Sequence, residues 1–535
     1  MSGRSAQRKA FSDSIPIMTA TFSRRCFLGF STCVALAHGG GVPVLSQQRP
    51  RQSEEALTPY DFGAVGNGRV DDTGALRRAL LGAIASGRVL DLRQGIFRVT
   101  GSIAGTGNVR IENSGGAIVR ADKGEYLEHA VLALRGTATR MEGLSASPMK
   151  GDTILRSASA TRFSGGDLAA VYDPRDRSFS GFRPYYRAGE FVEVAESAGG
   201  TIKLRAPLRA GYGKADPELY RISPLVGYLD GLIIESAGHA PSLLRIDYAR
   251  GFRVVAPRLI QANNDCLVIS RSVDCLVQHA QIENAGGGTD EYGVVFANCQ
   301  RCRLEGGTIE APRHPVAIGG GDYENAVPSR DVVVVDATLR NDPRFGTHCA
   351  DLHGNTEDCG YERCVIFGGF SAQGRSSYLK NSTVYAMSNG PVVYGAELLG
   401  GQHEIYGNTF HFSVDPSVAS RGAIDFGGNS DALTRLTTED LTIVARNNRF
   451  NAAAFGPNTM LLYVRNAGSH AKVNVRFVGN ELKVNDFAAM VRVRLATGSA
   501  KSDFIEVDGN ATSLPRRPRV YPDAAYGRFE RRLSS

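Results

Sequence analysis

A chain of 535 residues, 42% of them apolar, can bury a large core, either as two to four ordinary domains or as one long repeat domain. Its 62 glycines and its lack of tryptophan favour many short strands and frequent turns over long helices. The formal charge of +7 sits largely at the start, since removing residues 1–37 takes away five Lys/Arg and one Asp and leaves +3. No basic stripe with interleaved aromatics occurs, which argues against a nucleic-acid partner.

Residues 1–37 read as a targeting segment. Ser23-Arg24-Arg25-Cys26-Phe27-Leu28 follows a polar, basic lead, and Ala35-Leu36-Ala37 ends a short apolar run in the small-x-small form of a cleavage site. The arginine pair resembles a twin-arginine export signal, which implies a periplasmic or extracellular destination. The run is too short to span a bilayer comfortably, and no later stretch has the length and apolarity to do so. Seven cysteines follow: Cys266, Cys275, Cys299, Cys302, Cys349, Cys359 and Cys364. The odd number argues against a disulfide framework, and Cys299-x-x-Cys302 lacks the second pair that structural zinc needs. The expectation is buried thiols acting as small hydrophobes.

Residues 38–57 are polar, Gly/Pro-rich and linker-like. Residues 58–147 begin with a strand at Tyr60–Phe62 and a Gly-rich turn. A helix follows, with Asp71 or Asp72 placed to cap it and Ala75, Leu76, Ala79, Leu80, Ala83 and Ile84 forming one apolar face. Short strands are predicted at Arg88–Leu92 and Ile96–Val99, with Gly95 in the turn between them. Asp61-Phe62-Gly63-Ala64-Val65-Gly66-Asn67-Gly68, then Asp71-Asp72-Thr73, the helix, Arg88-Val89-Leu90-Asp91-Leu92 and Gly95-Ile96-Phe97-Arg98-Val99 resemble the N-terminal entry of the pectate-lyase superfamily. That group includes rhamnogalacturonase-like enzymes and phage tail-spike depolymerases. The resemblance implies an all-β, right-handed parallel β-helix with an N-terminal capping helix, a polysaccharide or oligosaccharide partner and, in some members, a trimer. It does not imply a reaction, because the superfamily hosts lyases, hydrolases, epimerases and binders.

Residues 148–226 change texture to alternating β-rich segments with Gly-Gly turns, which reads as an inserted small β subdomain. Tyr172, Tyr185, Tyr186 and Tyr212 could stack on sugars, but packing within that sheet is the simpler role. Residues 227–515 form the β-helix body, and 516–535 a C-terminal tail. In the body, segments opening at Cys275, Cys302, Val333, Cys364, Asn381, Asn408, Asn448, Asn480 and Asn510 recur at coil-like spacing. Asn and Cys in that column are read as fillers of the inner turns.

A second alignment sets Cys266–Ser270, Tyr292–Phe296, Pro315–Gly319, Cys349–His353 and Pro391–Gly395 side by side as one sheet. Alternation sends Leu267, Ile269, Val295, Val316, Ile318, Ala350, Leu352, Val392 and Tyr394 inward. It sends Tyr292, Val294, Phe296, Cys349, Asp351 and His353 outward. Asp265, Glu291, His314 and His348 then form a column ahead of the strands, with Glu291 about 10 Å from Asp351 at two coils' separation. Asp290, Asp322, Glu357, Asp358 and Arg375 lie in loops leaving the same side. Paired acids at that separation suit an inverting glycosidase. Asp351 with Glu291 or Glu357 would then share acid and base roles, and His348 and His353 would orient substrate. His314, Asp322, Asp290, Asp358, Arg375 and Tyr292 are the candidate substrate contacts.

The Asp-Asp pair with Gly-His-Gly of polygalacturonases is absent from the body, as is the Arg-x-Pro-x-x-Arg of pectate lyases. Gly238-His239-Ala240 and Arg183-Pro184-Tyr185-Tyr186-Arg187 are partial echoes only. No catalytic role is therefore carried over from either family. The leading expectation is an exported enzyme that cleaves a polysaccharide backbone, with hydrolysis slightly favoured. The alternatives are β-elimination of a uronic-acid glycan and a glycan-binding β-helix without catalysis. In the elimination, a histidine (His348 or His353) or a tyrosine would be the base and Arg375 or a bound Ca²⁺ would neutralise the carboxylate. No protein metal site is assigned, and hydrolysis requires no cofactor.

Overall fold

The computed structural model describes residues 55–179, 186–213, 216–284, 291–321, 325–342, 348–386, 395–399, 401–413, 422–426, 440–453, 455–467, 473–495, 504–512, 520–522 and 530–532. Residues 1–37, read above as a targeting segment, and residues 38–54 lie outside them. Nearly every element is a short strand, and the long sheets are parallel, so each coil stacks on the next as a parallel β-helix. A coil cannot bury its apolar side alone, so its core exists only in the stack.

The coil has three faces. One is a 13-stranded parallel sheet, here the site sheet, that runs from Ile103–Thr106 to Val520–Pro522. The other two are arms of one larger sheet, joined where Leu276–Glu283 and Arg303–Ala311 pass through both. The site sheet turns its corner at left-handed residues, among them Tyr248, Arg271 and Asn298. At the next coil that corner is Gly320, where a Cβ would strike the Asn298 amide at 2.3 Å.

At the N-terminal end the helix Thr73–Ser86 lays Ala75, Leu76, Ala79, Leu80 and Ala83 on the open coil, with Ile84 packed at the margin. The two acids divide the capping work: Asp71 Oδ1 accepts from the Thr73 amide at 3.0 Å. Asp72 instead holds the Gly-rich turn, accepting from the amides of Val65 and Gly66. The strand expected at Tyr60–Phe62 is a 3-10 turn spanning Pro59–Phe62, since Pro59 at its start fixes a helical φ.

The repeat column read from the sequence is two columns. Cys275, Cys302, Val332 and Cys359 stack at the start of one arm, while Cys364, Ser382, Asn408, Asn448, Asn480 and Asn510 stack at the start of the other. Both positions select small residues at similar spacing, so sequence alone merged them and placed Val333 and Asn381 one residue off. The asparagines do fill an inner turn. Each side-chain oxygen accepts from the preceding coil, and Nδ2 of Asn408, Asn448 and Asn480 donates to the next asparagine and to a backbone carbonyl. All seven cysteines are buried and unpaired.

The inserted subdomain is an antiparallel six-stranded sheet between Thr137 and Ser223. Its first strand, Thr137–Arg140, precedes the boundary expected at 148, because four residues of TATR carry no signal separating them from another coil. Tyr172, Tyr186 and Tyr212 are buried in packing; Tyr185 lies outside the described residues.

Candidate functional site

The strands Tyr292–Ala297, His314–Gly319 and His348–Leu352 are consecutive in the site sheet. Their register puts Val294, Val316 and Ala350 in one inward row and Phe296, Ile318 and Leu352 in another. Val294 and Phe296 therefore point in and Val295 points out, the reverse of the expectation. Val-Val-Phe is apolar at every position, so alternation could not choose its face. The outward column ahead of the strands is Asp265, Tyr292, His314 and His348, with Tyr292 in the place expected for Glu291. Glu291 is buried just before its strand, which lies two coils from the strand of Asp351. Residues 391–394 lie outside the described residues; the strand described there is Ala396–Leu398.

Asp351 is the centre of the site. It faces outward in register with Ala317 and Ser371, yet it is only 1% exposed. His353 Nε2 lies 2.7 Å from its Oδ2 and His314 Nε2 3.6 Å from the same oxygen. His314 stacks between Tyr292 (5.1 Å) and His348 (6.0 Å), and its Nδ1 meets the His348 carbonyl oxygen at 2.7 Å. Burial pushes the His314 pKa down to about 3, so this ring is neutral. A carbonyl can only accept, so the His314 proton sits on Nδ1 and its Nε2 offers Asp351 no hydrogen. Burial would raise the Asp351 pKa, but the facing imidazoles, His353 first, reverse this and hold the carboxyl well below its usual range.

His353 Nε2 is thus the nitrogen nearest to Asp351, at a distance but not an angle that makes a hydrogen bond. A proton on Nε2 facing the carboxylate leaves Nδ1 with a free lone pair, the arrangement by which an acid orients an imidazole as a base. The contact is close without being linear, as such pairs commonly are before substrate binds. The His353 ring lies over Gly319, where an added Cβ would come within 3.0 Å of Nδ1. The side chain is 17% exposed, so it can reach a ligand that Asp351 cannot.

A second pair lies on the same face. His348 Nε2 is 2.8 Å from Glu397 Oε2, and Glu397 continues the outward column Asp351–Ser371–Glu397–Asp425. Glu397 and Asp425 were missed in the sequence because the intervals separating their strands from those before them, as counted along the chain, depart from the repeat used for alignment. Gln373, one coil beyond His353, donates toward Ser371 at 3.5 Å.

Three other candidates belong elsewhere. Glu357 accepts from Arg330 Nε (2.7 Å), from Arg375 (3.1 Å) and from the Tyr186 hydroxyl of the inserted subdomain. Asp358 is bonded to Arg209 of the same subdomain at 2.6 Å. Glu357, Asp358 and Arg375 therefore form the seam between insertion and β-helix. Asp290 and Asp322 lie outside the described residues. Among the described residues no three His, Cys, Asp or Glu side chains form a metal-holding group, and Asp351 and Glu397 each already face an imidazole.

Comparison with known proteins places this geometry. Residues 265–511 match the family described as Gp49, pectin lyase-like, and residues 133–222 match the tailspike protein-like, Ig-like domain. The tailspike protein gp49 of Pseudomonas phage LKA1 is 30% identical over 85% of this chain and 81% of its own, with a TM-score of 0.74. The Pseudomonas phage phi297 tailspike gp61 is 21% identical over 90% and 84%, with a TM-score of 0.74. The gp54 tailspike of Acinetobacter baumannii bacteriophage AP22, solved with a capsular saccharide, is 22% identical over 88% and 78%, with a TM-score of 0.73. No curated protein matches the chain. The identity to gp49 over most of both chains, and the family match through the coils that carry the site, lead to one conclusion: the chain belongs to the pectin lyase-like tailspike family.

Proposed function

We propose that this chain cleaves the backbone of an acidic polysaccharide by β-elimination, with His353 as the general base and Asp351 orienting it. The observation that carries this reading is the contact of the buried, anionic Asp351 with His353, whose Nδ1 lies over the bare backbone of Gly319. An enclosed carboxylate held as an anion is poorly suited to be the general acid of a hydrolase, whereas the partly exposed His353 imidazole is placed to take a proton from a bound sugar. This shifts the weight from hydrolysis, which composition and spacing favoured, to elimination.

His348, steadied by Glu397, is the group on the same face that would return a proton to the leaving oxygen. Arg313, whose guanidinium lies 5.8 Å from the Tyr292 ring centre, is the cation that would meet a sugar carboxylate. With an arginine in that role no Ca²⁺ is needed. A glycan partner is further supported by the saccharide complex of gp54, and a place outside the cell by the tailspike relatives. Export by the twin-arginine-type segment belongs to the same proposal.

The test is incubation with a panel of acidic and neutral polysaccharides, following reducing ends and the ultraviolet absorbance of an unsaturated product. Wild type should raise both together, and His353→Gln and Asp351→Asn should lower the rate by about 10²–10⁴-fold. Reducing ends without absorbance would return the mechanism to hydrolysis. Binding without either signal would make the protein a glycan-binding β-helix.

A further inference from the structure

The segment from His353 to Asp358 leaves the site sheet under unusual restraint. The His353 amide donates to the Ile318 carbonyl at 2.8 Å, and Thr356 Oγ1 donates back to the His353 carbonyl at 2.7 Å. The Ser329 amide meets the Asn355 carbonyl at 3.0 Å, and Ser329–Arg330 pairs in parallel with Thr356–Glu357. Four residues after the imidazole, the Glu357 carboxylate is closed in by Arg330, Arg375 and the Tyr186 hydroxyl. Arg330 is itself buried, so this is an ionic node away from water rather than a surface pair. Tyr186 comes from the insertion, packs edge-on against Phe179 at 5.7 Å and lies under the Arg375 guanidinium at 4.4 Å. The next residue, Asp358, is held by Arg209 of the insertion, which also bridges to Asp331.

We propose that the inserted subdomain sets the position of His353 through this node, with Glu357 as a positioning residue. The proposal rests on the reading of His353 as the proton-transfer group. Glu357 carries three cationic or hydroxyl partners and has no capacity left to serve a glycan as an acid. Its removal would leave Arg330 buried without its counter-charge, and the short segment back to His353 would lose its distal anchor. Placement of a reacting group is sensitive to small displacements, so loosening this anchor acts on the chemical step more than on binding.

The experiment uses the full chain with Glu357→Gln and, separately, Tyr186→Phe, which deletes one hydroxyl and tests the node even if the first variant folds poorly. Two readouts are taken: kcat and KM on the polysaccharide, and the rate at which diethyl pyrocarbonate modifies each histidine, resolved by mass spectrometry. His279, exposed on another face, is the internal reference. Both variants should modify His353 several-fold faster with His279 unchanged, and kcat should fall with little change in KM. His353 rates indistinguishable from wild type, with only the melting temperature lowered, would overturn the proposal and leave the node as a seam between domains. A His353 response in a protein whose wild type cleaves no polysaccharide would uphold the coupling and remove the cleavage reading instead.

Discussion

Gly319 has an ordinary backbone conformation, so the chain itself would accept alanine there. The obstacle is His353, whose Cβ and Cγ would lie 2.5 and 2.9 Å from the new methyl group. The nearest clash is with His353 Cβ, next to the backbone, so turning the ring cannot relieve it and the end of the strand must shift. We expect Gly319→Ala to lower turnover at least ~10-fold, as small misplacement of a reacting group does, and to lower the melting temperature as overpacking does. Activity and a thermal melt on the same sample check this. His314 gives a second expectation, with its sign fixed by burial. Its folded pKa of about 3 lies below the unfolded value of about 6.5. Between these values the unfolded chain binds a proton that the folded chain does not, so stability falls as pH falls through that window. His314→Gln should flatten the dependence of denaturation midpoint on pH between about 6.5 and 4, above the range in which Asp351 contributes. An unchanged slope would mean that the ring is protonated in the fold. Asp351, His314, His348 and His353, picked out in the sequence because acids and imidazoles outward on a strand serve no core, are brought together by the fold. Their partners were less legible. Nothing local distinguishes Glu357, a buried anchor, from Asp351, since the difference lies in arginines brought from Arg330, Arg375 and the far insertion.

At the scale of the element, the coil is held by interior ladders rather than by its many surface ion pairs. Asn448 shows the contrast. Its Oδ1 accepts from the Asn408 amide and side chain, and its Nδ2 donates to Ile405 and Asn480. Asn448→Ala strands those partners away from water and should cost roughly 3 kcal/mol in a denaturant titration. Arg446 pairs with Glu404 at 2.6 Å on the outer surface of the same coil, half in water. Arg446→Ala should cost about 1 kcal/mol or less. Equal effects would mean that the ladder is no stronger than the surface. Strands and inner asparagines could be recognised from alternation and spacing, but the face a strand presents could not be where both faces are apolar, as in Val294-Val295-Phe296. Register is fixed by neighbouring coils, and neighbouring coils are unknown until the connections between them are counted correctly.

For the whole molecule, the question is whether the β-helix and its insertion are one cooperative body. The insertion has its own core around Phe163, Val171, Val194, Ile202 and Tyr212, which suggests independence. Its ends also converge, since a Cβ on Gly136 would touch the Ser223 carbonyl and the Leu225 amide. The β-helix ladder continues past it, with Ala130–Arg135 paired directly to Ser242–Asp247. Against this, a second apolar cluster joins Leu168, Tyr172, Phe191 and Tyr220 of the insertion to Val273 and Val327 of the β-helix. The Gln300 side chain also completes the edge of the inserted sheet by accepting from the Phe191 amide. Replacing residues 137–223 by a short Gly-Ser link should therefore leave the parallel coils formed but uncover that patch and open the node at Arg330 and Glu357. We expect a chain with the far-ultraviolet signature of β-structure, a melting temperature lowered by several degrees and new binding of a hydrophobic dye. Loss of all β signal would show instead that the coils form only on the docked insertion. The first outcome follows from the contact order of the fold: each coil pairs with the next one, while the contacts with the insertion lie along the corner between Tyr248 and Arg375.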